Sequence, residues 1–311
     1  MVSNAYAAGT VKNHKCQWNR YLNFCIQNRL QVFPPSSQNI IRFYTYLTDK
    51  LSAFSSLQNY QSSINIFYRV YGFHVDTESI LFKFLNMSAK KCLSTMPVTK
   101  RPLDPEHLLA IINHTDQQNP FQVCFMNALT IGFFALLRRS NICPPSPKEF
   151  DCEKHLTRGD VRIQDDGVIV QLKWSKTNQH NSKVFEIPIA NSGHQVLDPP
   201  RMFRDFNSKF PVHDHDPCFS FYYCGHLYIL TQRDLASMLT ASLEKVGVSS
   251  QGITTHSIRK GGATLLTRSG VKVPALKEHG TWLSDAYLGY VHFNLADKFK
   301  VTQQAYKFLN L

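Results

Sequence analysis

Four residues of this sequence have the types and the spacing that phosphoryl transfer through a protein hydroxyl would use. His256 and Arg259 are three positions apart and therefore share one face of a helix. Tyr290 follows downstream, and Arg138 stands far upstream at the end of an apolar run. Two arginines, a histidine and a tyrosine are the groups that phosphoryl transfer through a phosphotyrosine requires.

The reaction explains why these residue types belong together. Cleaving a phosphodiester with a protein hydroxyl needs a nucleophile, cations on the non-bridging oxygens, a base for the nucleophile and an acid for the leaving oxygen. Arginine suits the cationic role because its planar fork gives parallel hydrogen bonds to phosphate. Thr254 and Thr255 form a plausible N-cap before His256, so the start of that helix offers N–H groups to an anion.

Each signal has an ordinary explanation when it is taken alone. An arginine at the end of a buried helix usually extends its head group to solvent, and periodicity does not separate Arg138 from Arg139. Tyr287 and Tyr290 each fit a core or rim position on an amphipathic helix. Lys176 follows a strand, where most lysines are only solvated. The combination and its order along the chain therefore carry the information.

Composition indicates a folded protein with a polyanionic partner. The 311 residues fit two domains, and 43% of them are hydrophobic. The formal charge is 34 − 22 = +12, which favours nucleic acid or acidic lipid. The sequence shows neither a membrane-spanning run nor a signal peptide, so we expect an intracellular protein, nuclear if the host is eukaryotic.

The eight cysteines form no disulfide framework and are expected to be reduced. One cluster invites a metal interpretation but matches no zinc spacing, so we predict no metal site. Its members are His213, His215, Cys218, Cys224 and His226.

Helical periodicity covers residues 1–88 and predicts an N-terminal helical domain. Residues 34–37 are Pro-Pro-Ser-Ser, which interrupts the chain and offers a helix cap. Gly72 is placed to end a third helix, and a shorter helix over Ile80–Met87 completes the unit. We predict a basic linker over 89–103, which is either a solvated connection or a strap over a phosphate backbone. Its charges are Lys90, Lys91, Lys100 and Arg101.

A second domain is predicted over 104–292, beginning at an Asp-Pro helix start. A long apolar helix should run from Phe121 to about Leu137. Strands are predicted at 161–163 and 168–172, joined by Asp-Asp-Gly, and at 184–189. From Leu230 the chain is helical again. The fold class is therefore mainly α with a small antiparallel β-sheet, an α+β arrangement.

Taken in order, the motifs resemble the tyrosine recombinase (phage integrase) family over about residues 100–295. The matching stretches are Leu137-Arg-Arg-Ser-Asn141, Trp174-Ser-Lys-Thr177, Thr255-His-Ser-Ile-Arg-Lys-Gly-Gly-Ala263 and His279-Gly-Thr-Trp-Leu-Ser-Asp-Ala-Tyr-Leu-Gly-Tyr290. The residues of these motifs most resemble those in recombinases of eukaryotic mobile elements such as Crypton-like transposons. The resemblance implies a helical, SAM-like core-binding domain followed by a tyrosine-recombinase catalytic domain.

The resemblance also implies residue roles. Arg138 and Arg259 correspond to the arginines that clamp the phosphate, and Tyr290 corresponds to the nucleophile. Lys176 corresponds to the general acid.

His256 corresponds to the general base, and Trp282 stands where the family places a His or Trp that donates to the phosphate. The interval from Trp282 to Tyr290 is one residue shorter than in many relatives, so Tyr287 and His279 stay as alternatives. Lys260 joins the linker cations as a predicted DNA contact.

By resemblance, the chain is an integrase that cuts and rejoins double-stranded DNA through a 3′-phosphotyrosine, with no metal, nucleotide or other cofactor. It would act as a homo-oligomer, with a dimer on each site and a tetramer in synapsis. The tail over 293–311 either closes its own domain or packs into a neighbouring subunit.

Three other functions fit parts of the sequence. A relaxing topoisomerase of type IB would share the chemistry but usually needs large additional regions. A domesticated protein that binds DNA without cutting would not need competent residues at every matched position. A helical RNA scaffold would explain the charge and leave the ordered motifs unexplained.

The charge predicts a steep dependence of DNA binding on salt. Affinity for duplex DNA should fall by about 0.9 log units per log unit of salt for each phosphate neutralised, because bound Lys and Arg displace counterions. Fluorescence anisotropy with a labelled duplex at several salt concentrations measures this slope. A flat response would count against a duplex clamp.

Overall fold

In the computed structural model, the chain forms two units, Met1–Val98 and Thr99–Leu311. The structure describes residues 6–93, 100–174 and 184–293, together with Ala296, Asp297, Phe299 and Gln303. No helix in this described part of the chain has both the length and the apolar character needed to cross a membrane.

Over residues 6–93, the N-terminal unit is made of four helices around an aromatic core. They are α1 (Ala8–Gln27), α2 (Ser37–Thr48), α3 (Phe54–Val70) and α4 (Ile80–Cys92). The predicted cap is confirmed, because the Ser36 side chain accepts the Asn39 N–H at the start of α2. Trp18 stacks on Phe67 with ring centroids 4.7 Å apart.

Helix α4 continues beyond the predicted end at Met87. Ala89 is buried and extends the apolar face that begins with Phe82, so packing carries the helix to Cys92. Lys90 and Lys91 therefore occupy the last helical turn, where the negative end of the helix dipole favours cations. The first residues of the predicted linker are thus helical.

The second unit combines seven helices and two antiparallel sheets among its described residues. The helices are α5 (Pro105–Asn113), α6 (Pro120–Phe134), α7 (Arg139–Ile142), α8 (Pro199–Lys209), α9 (Gln232–Lys245), α10 (Thr255–Arg268) and α11 (Val273–His279). The strands are β1 (Val161–Gln164), β2 (Gly167–Leu172), β3 (Phe185–Ala190), β4 (Ser220–Tyr223) and β5 (His226–Ile229). A 3-10 helix over Asp285–Gly289 leads into Tyr290.

The predicted three-stranded sheet is confirmed. Strand β2 lies between β1 and β3, antiparallel to both. Gln164 pairs with Gly167, so Asp165 and Asp166 form the turn that Asp-Asp-Gly predicted. Lys176 falls within 175–183, between β2 and β3 and outside the described residues.

The hairpin of β4 and β5 was not predicted. Cys224 and Gly225 form its turn with φ values of 49° and 77°, the left-handed conformation that a tight hairpin turn needs at both positions. Cys224 is exposed at this turn, whereas Cys218 is buried in the core. Among the described residues, no three His, Cys, Asp or Glu side chains form a metal-binding group.

Helix α6 is the central element of the second unit, and it ends earlier than predicted. All residues from Val123 to Phe133 are buried. The helix ends at Phe134 and not near Leu137, because Leu136 takes a φ of 51° and the Leu137 N–H turns back to the Gly132 carbonyl at 2.9 Å. The apolar run continues past this end because the reversed segment is also buried.

Helix α10 packs closely against α6 through adjacent glycines. A Cβ atom at Gly262 would lie 2.0 Å from the Phe133 carbonyl oxygen, and one at Gly261 would lie 2.1 Å from the Leu103 carbonyl oxygen. Any side chain at either position would push α10 away from α6 and from the segment before α5.

Substitution of Gly262 by Ala should therefore destabilise the protein by about 1–3 kcal/mol, because strain of overpacking outweighs the gain in helix propensity. Gly289→Ala is the matched control, since nothing lies within 4 Å of its Cβ position. Urea unfolding measures the free energy of unfolding of both variants. Unchanged or increased stability of Gly262→Ala would contradict the close helix contact.

Candidate active site

The start of α10 is fixed by a reciprocal cap. The Thr254 hydroxyl accepts the His256 N–H at 3.3 Å, and the Ser257 hydroxyl accepts the Thr254 N–H at 2.9 Å. This cap places His256 in the first turn and Arg259 in the next one. His256 remains exposed, whereas Arg259 is only 2% exposed.

The Arg259 guanidinium is held by backbone carbonyls at two helix ends. Its Nη1 donates to the Leu136 carbonyl, just after α6, and its Nη2 donates to the Gly280 carbonyl at the end of α11, at 2.6 Å. Helix C-termini carry partial negative charge, so they favour a buried cation. The contacts join α6, α10 and α11 at a single side chain.

Two aromatic rings cover the same guanidinium. Its Cζ lies 4.2 Å from the Trp282 ring and 5.0 Å from the Tyr290 ring. The two rings are 5.3 Å apart, and Tyr290 also lies 4.7 Å from the His256 ring. Gly280 makes room for Trp282, because a Cβ there would lie 1.8 Å from the indole. The structure thus brings His256, Arg259, Trp282 and Tyr290 together.

The backbone of Tyr290 is positioned from α10. The Thr264 hydroxyl donates to the Tyr290 carbonyl at 3.4 Å and accepts the His292 N–H at 3.1 Å. The Tyr287 ring lies 6.4 Å from Trp282 and 6.0 Å from the Lys277 Nζ. Tyr290 is therefore the tyrosine placed against His256 and Arg259. Nothing in the sequence pattern singled out Thr264.

The structure also distinguishes the two arginines after α6. Arg139 is exposed, whereas Arg138 is partly buried and its positive charge acts on both Arg259 and His256. Asn141 ties this turn to the sheet, because its Nδ2 donates to the Trp174 carbonyl at 2.9 Å. Trp174 directly precedes the segment that contains Lys176.

His279 occupies a structural position. Its Nε2 lies 2.7 Å from the Phe134 carbonyl oxygen, so the ring links the end of α11 to the end of α6. The Phe134 carbonyl can only accept, so Nε2 donates in this contact.

The site contains buried donors without hydrogen-bond partners among the described residues. They are Arg138 Nη1, Arg259 Nε, Thr281 Oγ1 and Trp282 Nε1. Buried polar groups nearly always find a partner, and an unmet donor costs about 1–3 kcal/mol. Moreover, no described carboxylate forms an ion pair with either arginine. Donors and positive charge without a counter-ion suit an anion with several acceptor oxygens.

Burial and positive neighbours shift the titration of the site. Burial, followed by the charge of Arg138, lowers the pKa of Arg259 to about 9, so the guanidinium remains protonated at neutral pH. Although the residue is exposed as a whole, neighbouring groups partly desolvate the His256 imidazole. This desolvation, followed by the charges of Lys100 and Arg259, lowers the pKa of His256 below its usual value. His256 is therefore held in the neutral form, which can accept a proton.

Two predicted DNA-contacting lysines border this site. The Lys260 Nζ donates to the Lys100 carbonyl at 2.6 Å, and the Arg101 N–H donates to the Gly252 carbonyl at 2.9 Å. The segment after residue 100 is thereby fastened along the start of α10. Lys90 and Lys91 belong to α4 in the other unit.

Solved structures with a similar fold include recombinases and integrases. XerH site-specific recombinase bound to difH substrate has a TM-score of 0.63 at 14% identity, covering 96% of this chain and 80% of that chain. A lambda integrase dimer bound to a COC′ core site has a TM-score of 0.62 at 14% identity, covering 94% and 91%. Tn1549 transposon integrase in complex with transposon right end DNA has a TM-score of 0.59 at 18% identity, covering 94% and 93%.

These similarities confirm the expected fold class, mainly helical with small antiparallel sheets. No protein-family model matches the chain, and no curated protein matches it significantly.

Replacing Lys100 by Gln should raise the pKa of His256, because removing a nearby positive charge makes protonation of the imidazole easier. NMR titration of the His256 ring measures the shift. Lys272→Gln is the control, because Lys272 is exposed and is not one of the charges that act on His256. An unchanged or lowered pKa in Lys100→Gln would show that Lys100 does not act on this histidine.

Proposed function

We propose that this protein is a tyrosine recombinase that breaks and rejoins duplex DNA through a 3′-phosphotyrosine intermediate. The observation that carries the proposal is the group of buried donors around Arg259 and Trp282, next to Tyr290. Within the described part of the chain these donors have no hydrogen-bond partner, and neither Arg138 nor Arg259 is paired with a carboxylate. A phosphodiester supplies the acceptor oxygens and the negative charge that these groups lack.

The structural similarities support a DNA substrate. The XerH, lambda integrase and Tn1549 integrase structures are each described as bound to their DNA sites. The basic balance of +12 agrees with such a partner. At sequence identities below 20%, these similarities are evidence for the fold alone. The evidence for the reaction is the set of donors and charges in the site.

In the proposed reaction, Arg138 and Arg259 hold the non-bridging oxygens of the scissile phosphate, and Trp282 donates its indole N–H to it. Charge builds on these oxygens as the nucleophile attacks, so fixed donors stabilise the transition state more than the bound substrate. Arg259 is suited to this role because its carbonyl contacts fix the guanidinium before DNA arrives.

The proton transfers follow from the neighbours of Tyr290. Its oxygen forms a bond to phosphorus while the bond from phosphorus to the 5′ oxygen breaks. The tyrosine proton passes to His256, whose lowered pKa keeps it neutral, and Lys176 protonates the departing 5′ oxygen. A 5′ hydroxyl from a partner strand reverses these steps, so the phosphotyrosine stores the bond energy and no nucleotide is consumed.

The assembly and biological setting that we propose come from the sequence resemblance. The protein would act as a dimer on each site and as a tetramer when two sites are joined. The gene would belong to a transposable element of the Crypton-like kind, and the protein would then act in the nucleus.

Covalent capture in cells tests the function and identifies the nucleophile. Wild type, Tyr290→Phe and Tyr287→Phe are expressed, the lysate is denatured without nuclease, and DNA attached to protein is sequenced. Wild type and Tyr287→Phe should carry DNA with ends at recurrent positions, whereas Tyr290→Phe should carry none, because it lacks the attacking hydroxyl.

Tyr287→Phe is a matched control, because it removes a tyrosine hydroxyl three residues before Tyr290. The backbone bond from the Tyr290 N–H to the residue 287 carbonyl does not depend on that side chain. Attached DNA in Tyr290→Phe would assign the nucleophile elsewhere. If the wild-type protein gave no covalent product either in cells or on a nicked trapping substrate, despite salt-sensitive DNA binding, it would be a DNA-binding protein that does not cut.

A further inference from the structure

Thr281 occupies a backbone position that rarely holds a threonine. Helix α11 ends at His279, and the chain reverses with the Thr281 N–H bonded to the Glu278 carbonyl at 2.9 Å and the Trp282 N–H bonded to the Lys277 carbonyl at 2.8 Å. This is a Schellman motif, in which the residue at Thr281 takes the left-handed conformation, here with a φ of 55°. Glycine or asparagine normally fills it.

The glycine of this turn lies one residue earlier, for a different reason. Gly280 has a φ of −84°, which any residue adopts, and is needed because the Trp282 ring fills its Cβ space. Thr281 therefore keeps a β-branched side chain in the left-handed region, at a strain of about 1–3 kcal/mol. The fold would be more stable with glycine at this position.

The Thr281 side chain carries a second unfavourable feature. It is 2% exposed, and its hydroxyl has no hydrogen-bond partner among the residues that the structure describes. Leu136, which takes a similar conformation after α6, differs because its apolar side chain is packed in the core with Trp282. Strain and an unmet donor thus coincide at Thr281 within the described chain.

Thr281 lies between two residues that contact the Arg259 guanidinium. The Gly280 carbonyl accepts from Arg259, and the Trp282 ring covers the same guanidinium. Thr281 is the residue between them, and its Oγ1 belongs to the same group of buried, unpartnered donors as Arg259 Nε and Trp282 Nε1.

We propose that Thr281 is a further phosphate ligand, donating its hydroxyl to an oxygen of the phosphate bound by Arg138, Arg259 and Trp282. This inference rests on the proposed function, since it assigns an additional contact in the same site. Phosphate binding satisfies the hydroxyl and offsets the strain of the turn. The hydroxyl adds a directional contact without adding charge to a site that is already strongly positive.

Three substitutions separate the hydroxyl from the shape of the side chain. Thr281→Ser keeps the hydroxyl, Thr281→Val keeps the β-branched shape without it, and Thr281→Gly removes both the hydroxyl and the strain. We expect Ser to cleave at nearly the wild-type rate and Val to lose about ten- to hundredfold in single-turnover cleavage. Gly should show a similar loss while its melting temperature rises.

Cleavage is measured on a nicked duplex carrying the site found by covalent capture. The same duplex with a methylphosphonate at the scissile position gives a readout that a structural role would not change. In the stereoisomer that lacks the oxygen contacted by Thr281, the difference between Ser and Val should disappear.

Binding of inorganic phosphate, followed by thermal shift, gives a readout independent of catalysis, with weaker binding expected for Val than for Ser. If Val and Gly cleave and bind phosphate as wild type does, Thr281 is not a phosphate ligand. If wild type cleaves no DNA but Val still weakens phosphate binding, the proposed function fails while the ligand assignment stands.

Discussion

The buried Arg259 guanidinium is the interaction on which the rest of the site depends. Two of its five N–H groups go to carbonyls at the ends of α6 and α11, and the aromatic rings of Trp282 and Tyr290 lie over it. Removing this cation would leave two buried carbonyls unpaired and the rings without their shared support. The same side chain therefore organises the fold locally, and in the proposed function it would also present charge to the phosphate. A loss of activity on its removal would then not report on catalysis alone. Arg138, which is only partly buried, separates these roles better.

Close backbone packing makes that arrangement possible. Gly261 and Gly262 let α10 approach α6, and this brings the Arg259 head group to the end of α6. At the end of α11, Gly280 leaves the space that the Trp282 indole fills beside the same guanidinium. In each case the glycine is required by a neighbouring atom and not by its own φ. Conversely, the left-handed positions at the two helix ends are filled by Leu136 and Thr281. At these two helix ends, the glycine positions and the left-handed positions therefore serve separate needs.

The sequence predicted those features that depend on side-chain pattern, and it missed those that depend on backbone. The caps at Ser36 and Thr254, the Asp-Asp-Gly hairpin and the shared helix of His256 and Arg259 follow from residue type and spacing. The end of α6 was misplaced because Leu136 reverses the chain without a glycine signal. The carbonyl partners of Arg259 and the contact of Thr264 with Tyr290 could not be predicted, since every residue has a carbonyl and only the tertiary fold selects one. The left-handed conformation of Thr281, like that of Leu136, could not be predicted because no glycine marks the position.

The composition of the site also bears on how a DNA target would be chosen. Its unpartnered groups are arginine, indole and hydroxyl donors, which suit phosphate oxygens and are the same at every base pair. Discrimination between sequences requires contacts with base edges or a response to DNA shape, and a phosphate site provides neither. Lys100 and Lys260 lie beside the site, and in the proposed function they would likewise contact the DNA backbone through charge. In the proposed function, target specificity must therefore come from other surfaces, because the centre itself would act on any phosphodiester delivered in the correct geometry.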